Sequence, residues 1–265
     1  MHPFTKELDT IRPSDFIFSI CTMVTDKAEY EEMVSSFLEA GFDQQTCEYL
    51  YLDNSSGNKH EAYEGLNRLL SAAQGKYIIL CHQDILLNHD KRTKLEECIK
   101  AMHENHPDWA LLGNAGGISI KRNASRIVGA DGKVNHEDTL PAEVGSLDEN
   151  FILVKRAANL GLSHDLKGYH LYGTDLCLIA ATLGYKAYVI DFLLTHKSFG
   201  NPGKEFYEVK KNFIKKYKEA FRSRFIQTTI TKLFLGGSSI KSKLYNSRPV
   251  FKVVSILARL RRQSR

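Results

Sequence analysis

Several motifs that would fix a function quickly are absent from this chain. No Gly-x-Gly-x-x-Gly follows the first strand pattern, and no Gly-x-x-x-x-Gly-Lys-Ser/Thr occurs anywhere. A dinucleotide fingerprint and a P-loop are therefore both without support. The five cysteines, Cys21, Cys47, Cys81, Cys98 and Cys177, are odd in number and show no Cys-x-x-Cys spacing. That excludes the common zinc and redox motifs and points to reduced, buried thiols in a reducing compartment. No apolar run reaches the length needed to span a bilayer, and Met1 to Asp9 lacks the apolar centre of a signal peptide. The expectation is a chain that is soluble or lies on a membrane surface without crossing it.

What is present is a chain of 265 residues with 43% hydrophobic and 25% charged residues, enough for one large α/β domain with an appendage. The formal net charge of +5 is unevenly spread. From Lys204 onward there are 17 Lys and Arg against 3 Asp and Glu, a balance of +14; the 19 basic and 28 acidic residues left for 1–203 give −9. Such asymmetry predicts a basic appendage, residues 204–265, with an anionic partner.

The first strand is expected at 16–21, followed by a helix with Tyr30, Met33, Val34, Phe37 and Leu38 at helical spacing and Gly41 as its stop. A second strand, 48–52, runs into Asp53-Asn54-Ser55. Helix 60–74 carries Ala62, Leu66, Leu69, Leu70 and Ala73 on one face and ends at Gly75. Then comes Tyr77-Ile78-Ile79-Leu80-Cys81, a continuous apolar run of the kind that suits a parallel strand covered on both faces, ending in His82-Gln83-Asp84. Asn88 is positioned to cap the next helix, and 110–113 is a further short strand. The resulting β-α-β-α-β-α-β order predicts a doubly wound, mostly parallel sheet. In such sheets ligands bind beyond the carboxyl ends of the strands, so Asp53-Asn54 and Asp84 are expected side by side at one edge. A carboxylate there can hold a divalent ion.

Beyond Gly113 the pattern loosens. A hairpin is expected around Gly129-Ala130-Asp131-Gly132, irregular chain over 135–147, and a strand over 151–154. The loop 162–173 is dense in His164, Asp165, Tyr169, His170 and Tyr172. Asp175 is read as opening a helix that stops at Gly184, and a strand over 188–190 leads to Leu194-Thr195-His196-Lys197-Ser198-Phe199-Gly200.

With these pieces placed, the stretch from about Phe16 to Gly200 resembles the GT-A-fold glycosyltransferases of the inverting family 2 group. The resemblance is carried by Tyr51-Leu52-Asp53-Asn54-Ser55, Gly65-Leu66-Asn67, Gln74-Gly75-Lys76 with the strand into His82-Gln83-Asp84, Tyr172-Gly173-Thr174-Asp175 and Thr195-His196-Lys197-Ser198. It implies a Rossmann-like three-layer α/β/α domain over 1–203, with a nucleotide-binding half at about 15–118 and an acceptor half at about 119–203. It also implies transfer of a sugar from a nucleotide-diphosphate donor, by default a UDP-sugar, to a glycan or lipid-linked acceptor. Cys21, Thr22, Asp53, Asn54, Ser55, Asn67, His82 and Gln83 would lie along the nucleotide. Asp84, in the last position of the Asp-x-Asp motif, would ligate the metal and also meet the nucleotide's phosphates, with His196 completing the coordination. His82 departs from the first Asp of that motif. Carboxylate plus imidazole suits Mn²⁺ better than Mg²⁺. Asp175 would be the general base, although as the opening residue of a helix it also suits an N-cap; Gly117, Asp165, Tyr169 and His170 are candidates near the sugars.

In the basic segment, 204–221 shows one apolar stripe of Phe206, Val209, Phe213, Tyr217 and Phe221, and 225–235 and 250–262 mix apolar and basic residues. These read as helices lying on an anionic membrane by way of 223–265, with packing on the catalytic domain an open alternative for 204–221; this fits a peripheral protein of the cytoplasmic face of a bacterial inner membrane, in surface-polysaccharide assembly. Nucleic acid is the weaker alternative, because no zinc-finger or RNP-like motif accompanies the charge. Two rival readings stay open. One is a sugar-nucleotide nucleotidyltransferase, against which the first strand's exit lacks a glycine-rich basic loop. The other is a decayed scaffold, made credible by His82 and Gly173.

Overall fold

A computed structural model describes residues 15–198 and 203–263. The N-terminal stretch Met1 to Asp9 and the pair Phe199-Gly200, both weighed in the sequence, lie outside the described residues. The chain divides into two compact units between Val209 and Lys210.

The first unit runs β1 (Phe18–Val24), α1 (Lys27–Glu39), β2 (Cys47–Asp53), α2 (Ala62–Ala72), β3 (Tyr77–Cys81), β4 (Ile85–Leu86), α3 (Arg92–Asn105), β5 (Trp109–Gly113), β6 (Ala115–Ser119), β7 (Arg122–Val128), β8 (Val134–Glu137), β9 (Ala142–Val144), β10 (Ser146–Leu147) and β11 (Phe151–Lys155). It continues through α4 (Tyr172–Thr182), β12 (Lys186–Val189), β13 (Leu194–His196) and the start of α5 (Lys204–Ala220).

Seven strands form the main sheet in the order β2-β1-β3-β11-β5-β12-β9. Five of them share one direction, while β11 and β9 run against their neighbours, so the sheet is mixed although mostly aligned. Side chains alternate across it. Phe18, Ile20, Ile79 and Phe151 share one cluster with Met33 and Phe37 of α1 and Leu95, Ile99 and Met102 of α3. On the other face α2 lies against β1 and β2, and α4 against β5 and β12. This is the α/β/α layering expected. Both β3 and β5 are buried at every position, as their unbroken apolar runs require.

Local chemistry sets the joints. Asp26 caps α1 by accepting from the backbone N–H of Ala28 at 2.8 Å and Glu29 at 3.1 Å. Gly75 turns the chain from α2 into β3 under the backbone of β1; a Cβ there would sit 2.6 Å from Ser19 N, so no larger residue fits.

Some boundaries depart from expectation, and two of the departures move the site. Strand β1 extends to Val24, because Thr22 and Val24 are β-branched and continue the pairing with β2. Its exit is therefore Thr25, and Cys21 and Thr22 are interior residues. Because β1 lies between β2 and β3, the tips bearing Asp53 and Asp84 are not neighbours. The cap of α3 is Lys91, not Asn88, whose side chain instead accepts from the Thr195 hydroxyl at 2.8 Å. Helix α4 opens at Tyr172, three residues before Asp175. The region 135–147, expected irregular, holds β9, β10 and the end of β8. Of these, β9 pairs with β12 at the edge of the main sheet, while β10 and β8 join β6, β7, β13 and β4 in a second sheet in the order β10-β6-β7-β13-β4, with β8 on β7.

The second unit continues α5 and adds β14 (Arg224–Gln227), β15 (Lys232–Leu235), α6 (Ser239–Tyr245) and α7 (Arg248–Gln263). The stretch 225–235, expected as a helix, is an antiparallel hairpin. The β-branched and aromatic residues Phe225, Ile226 and Phe234 favour it. The rings of Phe225, Phe234, Tyr245 and Phe251 pack together, and Asn246 bonds both backbone groups of Phe234. Ile230, Ile240, Val253 and Ile256 face solvent. No helix among the described residues is long and apolar enough to cross a membrane.

Candidate metal and substrate site

Three ligand-type side chains meet where β3 leaves the sheet. His82 and Asp84 follow β3 directly, and the pairing of β13 with β4 sets His196 opposite Ile85, one residue beyond Asp84. Asp84 Oδ2 lies 3.4 Å from His196 Nε2, and Asp84 Oδ1 lies 3.9 Å from His82 Nδ1. One ligand atom from each residue falls within 4.8 Å of the others, which makes the three a possible metal site.

The hydrogen bonds around His82 fix which nitrogen is available. Its Nε2 is 2.8 Å from the Tyr172 hydroxyl, and that hydroxyl donates to the Glu149 carbonyl at 3.2 Å. With the phenolic proton so committed, Nε2 carries the imidazole hydrogen and Nδ1 keeps its lone pair toward Asp84. Burial lowers the His82 pKa despite the neighbouring Asp84, favouring the neutral ring that a metal ligand must be. For Asp84, burial works to raise the pKa, but hydrogen bonds from His196 and Ser198 outweigh it and hold the carboxyl below its ordinary range. Asp84 Oδ1 is nonetheless buried with no hydrogen-bond partner. A buried, ionised oxygen without a donor is costly in protein but ordinary beside a cation. The donor set and the orphaned oxygen both fit a divalent metal. Two imidazoles and one carboxylate are harder to reconcile with Mg²⁺, which prefers oxygen.

A pocket of about 310 Å³ opens beside the triad, at the carboxyl ends of β1 and β3 and the start of α2. Met23, Ala62, Leu66, Leu80 and Cys81 give it apolar walls, and His82, Gln83, Asp84, Tyr169, His170 and Tyr172 give it a polar rim. Gln83 also ties the β1–α1 turn: its Oε1 accepts from Thr25 N at 2.8 Å and Asp26 N at 3.0 Å.

His82, Gln83, Asp84, Tyr169, His170 and His196 are thus brought together. The others take different places. Cys21 and Thr22 are buried within the sheet, and Thr22 Oγ1 spends its contacts on the sulfurs of Met33 and Cys81, so neither side chain can reach a nucleotide. Asn54 is buried and holds its own loop, accepting from Lys59 N and His60 N at 3.0 Å each and donating to Tyr169 and to the His60 carbonyl. Asn67 pins the Leu162 backbone through both amide atoms, at 2.7 and 3.0 Å. These two amides are structural supports. Asp53 accepts from the Ser55 hydroxyl at 2.6 Å and backbone at 2.8 Å and pairs with Lys27 at 3.0 Å, contacts that lower its pKa. Neither Asp53 nor Ser55 lines the pocket. Asp165 is exposed on its loop. Gly117 lies in β6, where a Cβ would stand 2.9 Å from Ser146 Oγ.

Asp175 requires a correction. It has 0% exposure, and its two oxygens accept from Ser163 N and Ser163 Oγ, each at 2.7 Å. A carboxylate sealed inside the first turn of α4 cannot take a proton from a substrate hydroxyl; it anchors the 160s loop. The carboxylate that the sequence did not single out is Glu149, next to Asp148 and against the start of α4. His82 departs from the first acid of the Asp-x-Asp motif, and the structure sets its ring within reach of the same possible metal site. The signal was available: a histidine two residues from an aspartate offers a second metal-binding atom as readily as an acid does.

No family model matches this sequence. A curated protein of Fuscovulum blasticum, "ATP synthase subunits region ORF 6", is 33% identical over 243 residues, which cover 89% of this chain and 98% of that protein. The chain belongs to the family of that protein. Among solved structures, A197 from STIV superposes on 67% of this chain and 82% of its own at a TM-score of 0.40 and 11% identity. GalNAc-T7, solved with UDP, GalNAc and Mn²⁺, superposes on 68% of this chain and 44% of its own at a TM-score of 0.42 and 6% identity. Both likenesses are too distant to bear on function.

Proposed function

We propose that the chain is a metal-dependent, inverting glycosyltransferase of the family 2 kind that uses a nucleotide-sugar donor, with UDP as the nucleotide and Mn²⁺ as the ion. The observation that carries this reading is the meeting of His196 with His82 and Asp84, the latter two on the rim of a pocket at the strand ends of an α/β sheet. In this reading the three side chains hold the cation, which stabilises the charge of the departing diphosphate as a Lewis acid. The apolar walls from Met23 and Leu66 shelter the nucleoside, and Gln83 keeps the β1–α1 turn in place against it. Tyr169 and His170 close the side of the pocket nearest the transferred sugar.

The acceptor in this proposal is a glycan or a lipid-linked glycan, made for surface polysaccharide. The second unit, with Ile230, Ile240, Val253 and Ile256 exposed among basic residues, holds the protein to the anionic cytoplasmic face of the inner membrane. A thermal-shift series with UDP and UDP-sugars, with and without Mn²⁺, tests the core of the proposal, because a ligand of the native state raises the melting temperature. The wild type is expected to shift more with nucleotide and Mn²⁺ together than with either alone, and Asp84→Ala to lose the Mn²⁺-dependent part of that shift. Equal shifts in Asp84→Ala and wild type would remove the metal from the proposal. Release of pyrophosphate from nucleotide and sugar phosphate would favour a nucleotidyltransferase.

A further inference from the structure

A second pocket of about 470 Å³ lies along the 146–149 segment, walled by β6, β7, β8 and the start of α4. Its character is opposite to that of the first. Ser125, Asn135, Glu137, Asp148, Glu149 and Thr174 line it with hydroxyls, an amide and carboxyls. The Ser125 hydroxyl, in a residue 8% exposed, is buried without a hydrogen-bond partner. The acids Glu137 and Asp148 among its walls make it unsuited to an anion such as a nucleotide diphosphate. A neutral molecule rich in hydroxyls, able to donate to carboxylates and accept from the amide, is what such walls complement.

Two links tie this pocket to the metal triad. His82 N donates to the Asn150 carbonyl at 3.0 Å, and Tyr172 bridges the His82 ring to the Glu149 backbone. The floor strands β6 and β7 also belong to the same sheet as His196, through the pairing of β7 with β13. The carboxyl of Glu149 lies against the first turn of α4, with Gly173 N 3.4 Å from its Oε1. Gly173 lets this segment pack closely on α4, since a Cβ there would collide with the Leu147 carbonyl.

We propose that this pocket receives the acceptor as a polyhydroxylated glycoside, and that Glu149 takes the proton of its attacking hydroxyl. The inference rests on the nucleotide-sugar reading above. In the step it describes, the acceptor O–H gives its proton to the Glu149 carboxylate, and the oxygen's electron pair forms the bond to the anomeric carbon of the donor. The carbon–oxygen bond to the diphosphate breaks, and its pair leaves with the nucleotide. Burial and the adjacent Asp148 push the Glu149 pKa up to about 8, countered in part by the backbone N–H groups of Gly173, Leu171 and Tyr172, which puts it near the value a general base needs at neutral to mildly alkaline pH.

The test uses the full chain with Mn²⁺, UDP as one probe and methyl glycosides of glucose, galactose, mannose and N-acetylglucosamine as the others. Saturation-transfer NMR reads glycoside binding, and release of UDP from UDP-hexoses and UDP-N-acetylhexosamines reads transfer. At least one glycoside is expected to bind and to accelerate UDP release. Asn135→Trp, at an exposed position on the rim, should abolish glycoside binding and leave UDP binding within twofold. Glu149→Gln should leave UDP binding within twofold and slow glycoside-dependent UDP release at least about 100-fold. Failure of every glycoside to bind a protein that does bind UDP would overturn the inference while leaving the nucleotide-sugar reading intact. So would glycoside binding in Asn135→Trp, binding that never accelerates UDP release, or a wild-type rate in Glu149→Gln. A protein that binds no UDP with Mn²⁺ would sink both readings.

Discussion

The elevated pKa of Glu149 can be tested by stability alone, without any substrate. The native carboxyl titrates near 8 because burial and Asp148 raise it from 4.5. In the unfolded chain it titrates in the ordinary range, about 4.3. Between those values the native state holds a proton that the unfolded state does not, so native stability falls as pH rises, and the loss is complete only above about 8. At about 1.4 kcal/mol per pH unit, tapering as the native group ionises, the stretch from pH 6 to pH 9 corresponds to about 2.7 kcal/mol. Solvent reaching a half-buried carboxyl reduces this to roughly 2 kcal/mol. Glu149→Gln cannot ionise and should escape this loss. The assay is urea unfolding at pH 6 and pH 9 in chelator, followed by the fluorescence of Trp109, the one tryptophan and a fully buried reporter of the first unit. Burial also raises the thiols of Cys81 and Cys177 to about 12 and of Cys98 to about 11, so they too weaken the native state above the ordinary thiol range. They are common to both proteins and cancel in the difference. Wild type should lose roughly 2 kcal/mol more than Glu149→Gln; a difference under about 0.5 kcal/mol would mean an ordinary, solvated carboxyl and would refute the buried-acid picture.

Tyr172→Phe removes the hydroxyl that orients the His82 ring, and Mn²⁺ affinity, read by electron paramagnetic resonance without substrate, should fall about tenfold or more. Unchanged affinity would show that the tyrosine does not hold the ligand. Asp175→Asn should destabilise the first unit by roughly 1–3 kcal/mol in urea unfolding, because the amide cannot accept both Ser163 bonds, while leaving Mn²⁺ binding intact. Wild-type stability together with lost Mn²⁺ binding would place Asp175 at the site after all. Truncation after Phe221 should release the protein from anionic liposomes in a sedimentation assay, and retained binding would count against the second unit as a membrane surface.

Much of the fold was legible because the core strands are buried on both sides and carry no competing signal. Tyr77 to Cys81, Trp109 to Gly113 and Phe151 to Lys155 are short apolar runs bounded by polar residues or glycine, and each is a strand of the main sheet. What could not be read was order across the sheet. Local pattern gives a strand its face but not its neighbour, and β11 enters between β3 and β5 by pairings across more than 30 residues. The same gap hid the partners of β9 and β10, which are three and two residues long, too short to show an alternation. The hairpin of the second unit was misread for another reason. Its apolar and basic residues mix in a way that satisfies a helical stripe as well as a strand, and a stretch of eleven residues does not separate the two periods.

The site divides along a similar line. Asp84 and His196 could be named from the sequence because each ends an element whose chemistry is visible locally. The place of His82 in the cluster could not be read, since an imidazole in place of a carboxylate reads as a loss until Asp84, His196 and the Tyr172 hydroxyl are seen beside it. Asp175 illustrates the converse: an acid near the start of a helix has two possible partners, a substrate or the protein itself, and only burial decides. Here Ser163 takes both oxygens, and the general-base role passes in our proposal to Glu149, whose neighbours in sequence gave no hint of it. That transfer has a physical logic. A base must be able to gain and lose a proton at working pH, and Asp175, sealed in with both oxygens bonded, has no route for one. Glu149 reaches a pocket, stands beside a second carboxyl and rests on a helix start whose N–H groups moderate its burial, so its proton can move.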